Sequence, residues 1–288
     1  MTNNPLISLG DISAPVSVLI DRISNAVGGI ARPGQIVRVA KAEAKAEIIR
    51  TKTKIEIDEI QERALQRFVF EETAKQNNIE NITAKAVPLI SEDANPEDME
   101  TDWITNFFDK SRLISDDEMQ SLWANLLAGE ANSPGTFSKR TINSVYSLNK
   151  SDALLFQSFC NFLWDIGPLI YDHENDTFKR HNITFNTLTH LDSIGLITFN
   201  PAVGYRKIGF PKKTRLEYFN NYIEIEFDKD KNNEMKSGQV LFTTTGAELS
   251  KVCIFQMDND YFNLTVEKMK SFRNMKIINI NGTPQIED

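Results

Sequence analysis

From Gln35 through Val87 the chain contains neither glycine nor proline. In "QIVRVAKAEAKAEIIRTKTKIEIDEIQERALQRFVFEETAKQNNIENITAKAV" the residues Ala, Glu, Lys, Arg and Gln dominate. These side chains lose little freedom in a helix. With nothing to turn the backbone sharply, the stretch predicts one very long helix, or two stacked helices with a break near "NNIEN". Glu59 and Arg63 are spaced for an i,i+4 pair. "AKAEAKAE" offers mostly alanine, so this half either projects into solvent or packs closely on copies of itself through small side chains. The second half, with Ile57, Ile60, Ala64, Phe68 and Ile82, has more to bury.

Before this run, "SAPVSVLIDRISNAVGGIARPG" predicts a shorter helix. Ser13 is a potential cap, Pro15 suits the first turn, and Gly28, Gly29 and Pro33 stop it. Val16, Leu19, Ile20, Ile23, Val27 and Ile30 recur at helical spacing on one face. About 14 residues at roughly 1.5 Å each cannot cross a bilayer core of about 30 Å. "MTNNPLISLGD" lacks a basic region before its apolar residues, so a secretory signal is not expected.

After it, "SEDANPEDME" at 91–100 reads as an acidic, exposed linker. A helical middle domain follows over 101–168. Its first helix carries Trp103, Ile104, Phe107 and Phe108, with Asp102 as a potential cap. In the next, Ser115 and Glu118 have capping-box spacing ahead of Met119, Leu122, Trp123, Leu126 and Leu127. Gly129 sits where a C-terminal cap belongs. "SKRTINSVYSLN" and "KSDALLFQSFCNFLWDI" add two helices, the latter capped by Ser151 or Asp152.

Past Pro168 the periodicity changes. "ITFNTLTHLDSIGLITFN" is a helix turning at Gly195 into a short strand, and "YRKIGF" and "RLEYFNNYIEIEFD" have strand composition. "KDKNNEMKSG" is expected as a polar hairpin tip, and "QVLFTTTGAELSKVCIF" as a strand and a capped helix. One more helix and an edge strand fit "DNDYFNLTVEKMKSFRNMKIINING", with "GTPQIED" loose at the end. The expected fold class is mainly α with a C-terminal α+β part: long N-terminal helices (1–34 and 35–90), the helical middle domain, and a winged-helix-like domain over 169–288 with an extended wing.

The chemistry-bearing residues are sparse and scattered. His173, His181 and His190 show no HxH or HExxH spacing, so no metal site is expected. The glycines of "AVGGIARPG" match no phosphate-binding pattern, and no nucleophile elbow occurs. Cys160 and Cys253, the two cysteines of the chain, lie in apolar runs and read as buried free thiols, fitting a reducing cytoplasm. No catalytic residue, cofactor or metal is therefore expected.

The formal charge of −8, from 32 Lys and Arg against 40 Asp and Glu, disfavours a general nucleic-acid coat protein. One local basic cluster, "GYRKIGFPKKTR", could touch phosphates through Arg206, Lys207, Lys212, Lys213 and Arg215. The helix "ITFNTLTHLDSIGLI" carries no Lys or Arg to read bases, so nucleic acid is a disfavoured partner. In "LLAGEANSPGTFSKR" a helix stop, a Pro-Gly turn and a new helix start form a joint. Glu130 is close enough in sequence to pair across that turn with Lys139 or Arg140, and the loop is a candidate partner-binding element.

"DWITNFFDKSRLISDDEMQSLWANLLAGEANSPGTFSKRTINSVYSLNKSDALLF" resembles the central signature of a bacterial family known as domain of unknown function 2806. "AKAEAKAEIIR", "RALQRFVFEETAKQNNIENI" and "LDSIGLI…FTTTGAEL" are similar to the same family, which brings no activity with it. The "LWANLLA…L…DA" core also resembles the abortive-infection protein alpha family of phage-defence proteins. That resemblance implies a non-catalytic defence protein in the cytoplasm, self-associating as a homo-oligomer when a phage protein triggers it. Disruption of the inner membrane by the face from Val16 to Ile30 is the sharpest form of this expectation. The alternative is a winged-helix regulator binding nucleic acid or a protein partner.

Overall fold

A computed structural model of the chain describes residues 13–28 and 59–281. The chain is mainly α-helical, with small antiparallel sheets confined to its C-terminal part. It divides into two compact units between Ser147 and Leu148, whereas composition alone placed a boundary near Pro168. The difference has a packing cause. Phe156 and Phe159, on the helix after Leu148, set their rings 5.9 and 5.7 Å from Phe242 of the C-terminal unit.

In the first unit, helix α1 (Ala14–Val27) begins with Pro15 in its first turn and ends where Gly28 takes φ +82°. Only glycine adopts that conformation without strain. Ser13 occupies the cap position but contributes no side-chain hydrogen bond. Val16, Leu19, Ile20 and Ile23 are buried against the turn at Pro96–Asp98 and against helix α3 (Thr101–Ser111). Arg22, expected off the apolar face, donates to the carbonyls of Glu97 (2.6 Å) and Met99.

Helix α2 (Glu59–Ala86) runs through Asn77 to Asn81 without a break, because tertiary contacts there outweigh the weak helix propensity of asparagine. Asn78 donates to the Arg112 carbonyl (2.9 Å) and accepts from Gln120 (3.1 Å). Ile79, Ile82, Thr83 and Ala86 are buried, chiefly against helix α4 (Asp117–Asn132). The 35–58 part of the long apolar-poor run lies outside the described residues.

The stretch 91–100 is not a free linker. Its acids face solvent, but Ala94, Pro96 and Met99 are buried. The Ser91 and Asn95 amides donate to the Asn132 side chain (2.9 Å) and the Ala131 carbonyl (3.1 Å). The caps also differ from expectation. Glu100 takes the α3 cap position ahead of Asp102. Asp116, not Ser115, caps α4 by accepting from the Glu118 and Met119 amides. Helix α4 continues past Gly129 to Asn132, since Leu126, Leu127, Ala128, Glu130 and Ala131 are all buried. Helix α5 (Lys139–Ser147) completes the unit. At its centre Phe107 stacks on Trp103 and meets Trp123 edge-on, both at 5.1 Å.

The second unit opens with helix α6 (Lys150–Cys160), whose cap is Asn149; Asp152 accepts the Asn149 amide at 2.9 Å. A hairpin of β1 (Leu163–Trp164) and β2 (Gly167–Pro168) and a short helix α7 (Asp176–Lys179) follow, neither legible beforehand. Helix α8 (Phe185–Ser193) turns at Gly195 (φ +75°) into β3 (Ile197–Phe199), as expected. Strand β3 pairs antiparallel with β8 (Val240–Phe242).

Between them lie two nested hairpins. Strand β4 (Tyr205–Phe210) pairs with β7 (Asn233–Gly238), and β5 (Lys213–Tyr218) with β6 (Asn221–Phe227). "RLEYFNNYIEIEFD" is thus two strands, turned at Phe219 in a left-handed conformation (φ +53°). The expected polar tip shrinks to 228–232, because "NEMKSG" pairs as β7. Helix α9 (Thr244–Ser250), capped by Thr243, helix α10 (Asn259–Lys270) and β9 (Met275–Asn281), paired to β6, close the unit. Its core gathers Trp164, Tyr218 and Tyr261 with Phe162, Phe178 and Phe262. No helix among the described residues is long and apolar enough to cross a membrane.

Candidate functional site

The joint between α4 and α5 is built around one carboxylate. Pro134 and Gly135 (φ +85°) form a turn closed by the Thr136 amide donating to the Ser133 carbonyl at 3.2 Å. Glu130, 3% exposed, accepts the Gly135 amide at 2.7 Å and the Phe137 amide at 2.9 Å. Trp103 donates its indole N–H to the Phe137 carbonyl at 2.6 Å. Glu130 thus serves the backbone of the turn. Lys139 reaches Asp102 at 3.7 Å, and Arg140 is exposed. A carboxylate so enclosed braces the joint.

The basic cluster is dispersed by strand alternation. Arg206 pairs with Glu234 (2.8 Å), Lys212 with Asp230 (3.1 Å), and Arg215 with Glu217 (2.9 Å). Arg215 also lies 3.6 Å above the Tyr222 ring. Lys213 is exposed on β5, opposite Glu226. Lys207 turns inward and donates to the Ile166 carbonyl, half-buried beside Asp165. Burial depresses its ammonium pKa, opposed by the Asp165 charge, while burial raises that of the Asp165 carboxyl. Lys207 is thus withdrawn from any phosphate-facing surface, and the acids beside Arg206, Lys212 and Arg215 compete with phosphate for them.

The histidines are built into the fold. His173 bonds Gln239 (2.8 Å), His181 bonds Asp258 (2.7 Å), and His190, half-exposed, bonds Asp152 (2.7 Å). Among the described residues no group of three or more His, Cys, Asp or Glu is arranged to hold a metal ion. A shallow groove of about 570 Å³ follows β9 and is lined by Lys270 and residues 275–280, without a converging acid–base pair.

The face from Val16 to Ile30 is accounted for residue by residue. Val16, Leu19, Ile20 and Ile23 are buried in their own unit, Val27 is half-buried, and Ile30 lies outside the described residues. The exposed apolar surface is elsewhere. On α2, Ile60, Phe68 and Phe70 are 70%, 60% and 75% exposed. Phe68 lies fourteen residues before Ile82, and Leu65 fourteen before Ile79, so the seam buried at the C-terminal end of α2 continues toward its N-terminal end. Phe70 projects from the opposite side of the helix. Sequence periodicity marked Ile60 and Phe68 as residues with something to bury. It missed Phe70, and it could not tell that α4 begins too late along α2 to cover them.

No curated protein and no solved structure matches this chain. Residues 62–265 match the family described as Protein of unknown function (DUF2806), and the chain belongs to that family.

Proposed function

We propose that the chain works by assembling with copies of itself through the N-terminal half of α2, as the effector step of an abortive-infection-type defence, and not by making or breaking covalent bonds. The observation that carries this reading is the exposure of Ile60, Phe68 and Phe70 on a helix that buries Ile79, Ile82, Thr83 and Ala86 at its C-terminal end. Large apolar side chains grouped on a projecting helix mark a protein-interaction surface. Aromatic rings on opposite sides of one helix suit more than one neighbour, hence a higher oligomer than a dimer. The defence role rests on the resemblance of the "LWANLLA…DA" helix pair to the abortive-infection family.

Light scattering of the full chain tests the assembly. The wild type gives a mass above that of a single chain, and Phe68→Glu with Phe70→Glu lowers it while leaving the melting curve in place. A wild type that stays a single chain at every concentration overturns the reading. Loss of phage protection in cells carrying the same variant tests the defence role. Peripheral contact with the inner membrane would require Val16, Leu19, Ile20 and Ile23 to leave their seat, which vesicle leakage by the associated form would report.

A second reading has one specific support. Helix α8 followed by the antiparallel pair β3 and β8, with the nested hairpins between those two strands, supports a winged-helix reading with an elaborated wing. Its α8 exposes Phe185, Asn186, Thr189 and His190, which suits a protein partner better than phosphates. A salt-dependent gel shift lost on changing Lys212 and Lys213 to Glu would favour nucleic acid instead.

A further inference from the structure

The three-stranded sheet of the second unit has two outer strands, β5 and β9, flanking β6. An outer strand leaves one row of backbone N–H and C=O groups without a ladder partner, and charged side chains along it ordinarily keep other strands away. The two edges differ in this respect. Strand β5 carries Lys213, Arg215 and Glu217, all exposed. Strand β9, "MKIININ", carries one charge, Lys276, which reaches across the sheet to Glu226 at 2.9 Å. Isoleucine and asparagine fill the rest of it from 277 to 281, with no proline to block pairing.

Two of these isoleucines stand open, Ile278 at 44% and Ile280 at 37% exposure. The register with β6 slips between Ile277 and Asn279, so Ile278 is the extra residue of a bulge, with no residue opposite it on β6. Ile280 lies opposite Ile223, which is fully buried. The apolar face thus runs out at β9, beyond which no strand continues the sheet among the described residues. The groove along β9 is lined by Lys270 and residues 275–280. Both of its charged groups are already paired, Lys270 with Glu267 at 2.6 Å and Lys276 with Glu226.

We propose that β9 is an association edge, at which a second copy of the chain adds its own β9 antiparallel, so that the two sheets join across a two-fold axis. Charge selects this occupant. An edge without an unpaired charge accepts an uncharged strand, and β9 meets that description itself. Pairing about an axis near Ile278 sets each Lys276 opposite an Ile280, so the two like charges stay apart and each keeps its Glu226. Strand addition uses the free backbone row for hydrogen bonds and covers Ile278 and Ile280. The two-fold arrangement makes one strand serve as both halves of the interface. This contact is independent of association through α2.

Hydrogen exchange of the full-length protein tests it. The amides of 275–281 are expected to slow as protein concentration rises, and Ile278→Lys, a charge placed on the exposed bulge, abolishes the slowing. The same slowing in Phe68→Glu with Phe70→Glu separates this contact from association through α2. Exchange in 275–281 that does not change with concentration overturns the proposal: if fast, the edge stays empty, and if slow, the chain covers it with its own residues. Mild oxidation of Ile278→Cys gives a second readout, mapped by non-reducing peptide mass spectrometry. A link between the introduced thiols of two chains is expected, with none in Lys213→Cys on the charged edge. Equal linking at both edges overturns the pairing. Loss of association through α2 with the slowing retained would remove the function proposed above and leave the edge contact standing.

Discussion

The carboxylate of Glu130 accepts the backbone amide of Phe137 at 2.9 Å with one oxygen and that of Gly135 at 2.7 Å with the other. One buried charge thereby organises the turn that lets α5 follow α4, and it holds Phe137 where its carbonyl receives the Trp103 indole.

Glu130→Ala would leave these amides without their acceptor in a buried site, an expected loss of about 2–4 kcal/mol of stability. Glu130→Gln keeps one acceptor oxygen, so its loss is expected to be about 1–2 kcal/mol. Urea unfolding of both variants checks the order, and equal midpoints for alanine and wild type would contradict the bracing role.

Tyr261 is the corresponding hub of the second unit. Its buried hydroxyl accepts from the Trp164 indole (2.9 Å) and is shared between the carbonyls of Phe162 (2.9 Å) and Leu169 (3.0 Å). Tyr261→Phe preserves the ring contacts and removes these bonds. The expected cost is about 1–3 kcal/mol, read from the thermal unfolding of the full chain.

Gly246 stands inside α9, where alanine would ordinarily add about 1 kcal/mol of helix stability. A Cβ there would sit 1.9 Å from the Leu196 carbonyl oxygen, a backbone atom that cannot swing aside. Forced displacement of α9 from the β3 end is expected to outweigh the propensity gain, making Gly246→Ala destabilising by roughly 1–3 kcal/mol. A variant as stable as wild type in chemical denaturation would show that the helix can shift freely.

The Asp165 carboxyl is raised from its ordinary value by burial, against hydrogen bonds that include the Glu217 amide at 3.1 Å. The folded chain therefore holds this proton more tightly than the unfolded chain. Its contribution is fully present below the unfolded carboxylate value of about 3.9 and is lost as pH rises through the higher folded value. Asp165→Asn removes that fall. Denaturation midpoints measured from mildly acidic to neutral pH should decline less in the variant, and parallel profiles would count against the assignment.

Local chemistry was sufficient for much of the architecture. Helical spacing marked α1, α3, α4 and α5. Gly28 and Gly195 marked their turns, because only a residue without a Cβ takes a left-handed backbone cheaply. The strand and capped helix of "QVLFTTTGAELSKVCIF" were also expected, and Thr243 supplies the cap. What failed did so where a distant partner decided. Gly129 remained helical because its neighbours were buried, and the 91–100 acids stayed exposed while Ala94, Pro96 and Met99 tucked in. Phe219, left-handed at φ +53°, opened a hairpin within a stretch whose composition marked only strand.

The candidate sites divide in the same way. Sequence by itself determined which residues are apolar, charged or thiol-bearing, and on which face of a helix or strand they recur, since those follow from covalent structure and backbone period. Tertiary structure alone decided who meets whom. It covered Val16, Leu19, Ile20 and Ile23 while leaving Phe68 and Phe70 open, and turned Glu130 onto a backbone turn. It also set an acid beside Arg206, Lys212 and Arg215. Burial and pairing depend on residues far apart along the chain, and those contacts exist once the whole fold has closed.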